Sequence, residues 1–67
     1  MISYKPFFIT IKNKGLSQYQ IINEFGISSS LINRMRQGKS ITTSTLDKLC
    51  SLFNCDICDI LEYIDDK

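Results

Sequence analysis

The gap Gly26-Ile27-Ser28, which separates two stretches of helical periodicity, constrains this chain more than any other feature. A turn that short sets two helices at a steep crossing, roughly 90–120°, rather than side by side. Gly26 supplies the positive φ that reverses the chain without a Cβ clash. Ile27 follows it as an apolar plug for the angle between the helices. Ile21 and Phe25 before the turn, and Ile32 and Met35 after it, recur at the spacing that faces such a plug. A helix-turn-helix over residues 17–37 is therefore expected.

The punctuation on either side extends the helical reading to the rest of the chain. Pro6 and Gly15 frame a first helix, with Phe7, Phe8 and Ile11 as its apolar face and Ile9 slightly off the stripe. Ser17 and Gln20 have the spacing of a capping box and open the second helix, which ends at Gly26. The third runs from near Ser28 to just before Gly38. A fourth is expected from near Ser44, with Asp47 at the box position, through Leu46, Leu49, Cys50, Leu52 and Phe53. A fifth is expected from Asp56, with Asp59 at its box position, presenting Ile57, Ile60 and Leu61. Met1–Lys5 reads as a short extended arm, and Lys5, preceding proline, is expected outside the helical region. No segment alternates apolar and polar residues for long enough to mark a half-buried strand. The expected fold is all-α, a single compact five-helix domain over residues 1–67.

Sixty-seven residues bury a modest core and leave little space for a deep substrate pocket. The chain has no histidine, which removes the commonest general base and the commonest metal ligand. No catalytic residues, cofactor or small-molecule substrate are expected, and an enzyme is the poorest reading. Phe7-Phe8-Ile9 is interrupted by Thr10 and Lys12, far short of a signal or membrane span. The odd cysteine count closes no disulfide framework and points to a reducing cytoplasm. Cys55-Asp56-Ile57-Cys58 matches C-x-x-C, with Cys50 as a third sulfur, but zinc would lack a fourth Cys or His and would need an acid such as Asp59. Redox chemistry of the thioredoxin type would lack its strand–turn–helix context. Cys50 and Cys55 instead fall at apolar positions, where cysteine packs as a small hydrophobe, and no metal is expected.

The net charge of +1 divides unevenly. Residues 1–48 carry seven Lys or Arg against Glu24 and Asp47, whereas residues 49–67 carry Lys67 against five acids. A basic body with an acidic tail suits a polyanion partner on one face. On the third helix, Ile32 and Met35 point inward, and Ser30, Asn33, Arg34 and Gln37 form the opposite face, with Ser29 at its edge. These hydroxyls, amides and guanidinium match the hydrogen-bonding edges of bases in the DNA major groove. Leu31 extends the core edge or reaches a thymine methyl. Phosphate contacts are expected to flank this stripe, from Gln18 in the first turn of the second helix, from Ser28, and from the acid-free run Arg36, Lys39, Ser40, Thr42 and Thr43.

Leu16-Ser17-Gln18, Ile21, Phe25-Gly26-Ile27-Ser28, Ile32, Met35 and Gly38-Lys39, followed by Ser44, Leu46, Leu49, Leu52, Asp56 and Ile60-Leu61, together resemble the lambda-repressor-like (Cro and xenobiotic-response-element type) helix-turn-helix family. The resemblance covers about residues 5–63. It departs at Ile22, where the family usually has alanine or another small residue, and at Leu31, which replaces a small polar one. Ile22 suggests a slightly wider crossing of the helices. The resemblance implies a sequence-specific regulator of transcription that binds double-stranded DNA, a repressor acting as a homodimer on a palindromic operator. Met1–Tyr4 and the apolar residues of the fifth helix with Tyr63 are the candidate dimer contacts. An antitoxin or a phage or plasmid accessory protein, binding a partner protein as well as DNA, is the alternative. A protein-interaction module that has lost DNA binding is disfavoured by the absence of acids on the reading face.

Overall fold

The computed structural model describes residues 1–65. A short strand β1 (Ile2–Ser3) leads into four helices, α1 (Lys5–Asn13), α2 (Gln18–Asn23), α3 (Ser29–Arg36) and α4 (Thr43–Phe53). A single 3-10 turn (Ile57–Asp59) and strand β2 (Glu62–Tyr63) follow. The fully buried large side chains are Phe7, Ile21, Ile32, Leu49 and Ile60, so each helix and the segment after the 3-10 turn contribute one. Each such burial stabilises the fold by about 1.5–3 kcal/mol. The Phe7 ring stands edge-on to Phe8 at 5.3 Å and to Phe53 at 5.8 Å, and Phe25 lies 5.0 Å from Phe53.

The helix-turn-helix forms as its sequence dictates. Ser17 Oγ accepts from the Gln20 N–H at 3.1 Å, and Gln20 Oε1 accepts from the Ser17 N–H at 2.9 Å. Gly26 sits at φ 71°, and a Cβ built there would meet nothing within 4 Å, so glycine is required by the dihedral and not by space. Ile27 is buried between the helices, and its N–H donates to the Ile21 carbonyl at 3.1 Å.

Four expectations are corrected. Lys5 is already helical, with Pro6 beside it in the first turn. The Phe7 N–H bonds to the carbonyls of both Tyr4 and Ile60, which holds the turn despite the pre-proline preference. Helix α4 begins one residue before Ser44, because Thr42 is its cap: Thr42 Oγ1 accepts from the Thr45 N–H at 3.1 Å, leaving Asp47 inside the helix. Thr42→Ala is accordingly expected to cost about 1 kcal/mol and to lower the melting temperature by about 4–8 °C in a circular-dichroism melt.

The fifth helix is instead the 3-10 turn. Asp59 Oδ2 does receive the Asp56 N–H, at 3.1 Å, but the Ile60 N–H bonds three residues back to Ile57, and no second turn follows. The chain leaves this turn to pair antiparallel with β1, Ile2 opposite Tyr63 and Ser3 opposite Glu62. Two-residue strands are too short to show alternation, so only the extended Met1–Lys5 arm pointed to β1 and nothing marked β2. Thr10 Oγ1 donates to the Asp59 carbonyl at 2.8 Å and fixes this segment on α1. At the end of α4, Asn54 adopts the left-handed conformation at φ 50°, and the Cys55 N–H returns to the Cys50 carbonyl at 3.1 Å. Among the described residues no helix is long and apolar enough to cross a membrane. Asp66, at the end of the acidic tail, and Lys67 lie outside the described residues.

Candidate nucleic-acid interface

Helix α3 is oriented by what it buries. Ile32 and Met35 are in the core and Leu31 packs against its edge, half-buried. That anchoring leaves Ser29, Ser30, Asn33, Arg34 and Gln37 exposed on the other side. Ser28 caps the helix, its Oγ accepting the Leu31 N–H at 3.1 Å, which starts the helix where Ser29 and Ser30 become its first residues. All five expected base-reading residues are therefore brought to one accessible stretch.

The flanks are tied to this helix by its two arginines, in opposite directions. Arg34 Nη2 donates to the Ser40 carbonyl at 2.7 Å, drawing the Gly38–Thr42 loop against the end of α3. Lys39, Ser40, Thr42 and Thr43 are exposed on that loop and at the start of α4. The Thr42 hydroxyl, besides capping α4, donates to Thr45 Oγ1 at 2.9 Å. Arg36 turns the other way. Its Nη2 donates to Gln18 Oε1, and its guanidinium lies 5.4 Å from the centre of the Phe8 ring, a cation–π contact. One side chain thus joins α1, α2 and α3.

With its oxygen engaged by Arg36, the Gln18 amide keeps its N–H donors for another acceptor. A hollow beside this pair is lined by Phe8, Lys12, Ser17, Gln18 and Arg36 among others. Lys12, which in the sequence reading only interrupts the apolar Phe7-Phe8-Ile9 stretch, thus joins this flank. Its position beside Gln18 and Arg36 depends on how α1 packs on α2, and no local pattern encodes that. Between Glu24 and Asp47 the chain has no acid, so the surface around α3 attracts anions without a competing carboxylate of that stretch.

A sequence profile of the Cro/C1-type HTH DNA-binding domain matches residues 9–66. The chain belongs to that family. Its α2–turn–α3 unit is the helix-turn-helix that gives the family its name. No curated protein sequence matches this Cro/C1-type chain. Among solved structures, that of the transcriptional regulator VanUg is similar, with a TM-score of 0.83 at 20% identity over 97% of this chain and 87% of that one. At that identity the likeness establishes the fold.

Proposed function

We propose that this Cro/C1-type domain is a sequence-specific transcriptional regulator, a repressor that binds a palindromic operator in duplex DNA as a homodimer. The observation that carries the reading is the exposed, acid-free face of α3, held outward by the burial of Ile32 and Met35. In this reading Ser29, Ser30, Asn33, Arg34 and Gln37 contact base edges, Asn33 suiting adenine and Arg34 suiting guanine. Gln18, Ser28, Arg36, Lys39, Ser40, Thr42 and Thr43 hold phosphates on either side, with Lys12 added to the Gln18 flank. A dimer would set two α3 helices about 34 Å apart along one face of the DNA and repress by occluding polymerase. The contact area of one small module is limited, which favours pairing. Ile2 and Tyr63, opposite one another across the strand pair and both exposed, give that pairing an apolar contact.

Selection from random duplex DNA at several salt concentrations tests the proposal. A palindromic motif with half-sites about one helical turn apart is expected, with affinity falling steeply as salt rises. The absence of any enriched motif would sink the DNA reading, and a lone half-site would sink the dimer. Two variants separate the roles of the basic residues. Arg34→Ala should relax preference at one base pair, whereas Lys39→Ala should weaken all sequences alike and flatten the salt slope by about one unit. Identical profiles for the two would mean that the reading face is misassigned.

A further inference from the structure

The end of α4 brings together two cysteines that the proposed function does not use. A left-handed residue after a helix, with the following N–H bonded back to the last turn, folds the chain so that the side chain two residues past the end packs against that turn. Asn54 and the 3.1 Å bond from the Cys55 N–H to the Cys50 carbonyl make this arrangement here. Cys50 and Cys55 are the two residues so apposed, both half-buried. Burial pushes the Cys55 thiol up from its ordinary value, with the charge of Cys50 the next cause. Both line one hollow on the side of α4, together with Asp47 and Asp56.

We propose that Cys50 and Cys55 form a dithiol site for a soft, thiophilic ion of low coordination number, of the trivalent arsenic type. Two features select this ligand chemistry. Zinc takes four donors, and among the described residues no carboxylate joins Cys50 and Cys55 in a cluster of three potential ligands, the one such cluster being Asp56, Cys58 and Asp59. Attack on an oxidant needs a thiolate, which burial of Cys55 opposes. A trivalent arsenical instead condenses with protonated thiols. With phenylarsine oxide, two As–S bonds form and the arsenic–oxygen bond breaks. The oxygen leaves as water with both thiol protons, and no atom changes oxidation state. Cys58, exposed on the 3-10 turn beside Asp56 and Asp59, is outside the pair.

Phenylarsine oxide, added to the full chain under reducing conditions, supplies the test. One adduct per chain is expected by intact-mass spectrometry, together with a rise in melting temperature, since the paired sulfurs belong to the folded state. Cys50→Ser and Cys55→Ser should each weaken binding by about 100-fold, the loss expected when a two-point attachment becomes one-point, while Cys58→Ser binds as the parent does. If a serine variant fails to fold, the parent chain still decides: the bound arsenical should shield Cys50 and Cys55, but not Cys58, from maleimide. Absence of an adduct, shielding or dependence that involves Cys58, or a fall in melting temperature on binding would each overturn the site.

Discussion

Phe7→Ala is expected to lower the melting temperature by on the order of 20 °C, the largest loss available from one side chain in this fold. The ring is fully buried and stands edge-on to Phe8 and Phe53, so truncation removes both its own burial and two aromatic contacts. Phe→Ala in a core costs about 3–5 kcal/mol, against a total of about 3–10 kcal/mol for a domain of this length. A large part of the population should therefore be unfolded at physiological temperature. Ile9 lies on the same helix but is 57% exposed, and Ile9→Ala should move stability by no more than about 0.5 kcal/mol. Thermal melts of the two variants side by side check this, and similar losses would contradict the assignment of α1's inner face.

Asn33→Ala should give the complementary result, an intact fold with damaged recognition. Asn33 is exposed at the middle of α3, and none of its side-chain atoms supports the core. A bidentate amide–adenine contact is worth about 1–3 kcal/mol of discrimination, so affinity for the selected operator should fall by about 5- to 150-fold. Binding to unrelated duplex DNA should be unchanged, and so should the melting temperature. Fluorescence anisotropy with the two DNA classes measures both numbers. An equal loss on both would move Asn33 from base reading to phosphate contact.

How much of this was legible in the sequence depended on whether the signal was local. Ser17 and Gln20 lie three residues apart, and so does the capping box they form; Gly26 and Ile27 likewise state their turn within two residues. The face of α3 followed from the 3.6-residue period alone. The errors fell where partners are distant in the chain. Asp56 and Asp59 do make the hydrogen bond of a helix start, yet the helix does not propagate, because Ile60 is taken into the core and its carbonyl is claimed by the Phe7 N–H. Thr42 displaced Ser44 as a cap although both have hydroxyls, since the loop that Arg34 tethers delivers the chain two residues early. The split between the two arginines had no counterpart in the sequence. Arg34 and Arg36 are two residues apart and chemically identical, and only the placement of Ser40 on one side and of Phe8 and Gln18 on the other separates them.

The hold on Arg36 has a consequence for the timing of association. A free arginine on a protein surface samples many rotamers, and fixing a side chain of that kind on docking costs about 0.5–1.5 kcal/mol of entropy. Here the Phe8 ring and the Gln18 amide restrict the guanidinium as soon as α1, α2 and α3 have packed. Under the proposed function, a phosphate arriving at that flank would meet a cation already aimed, with the ordering completed during folding rather than at the encounter.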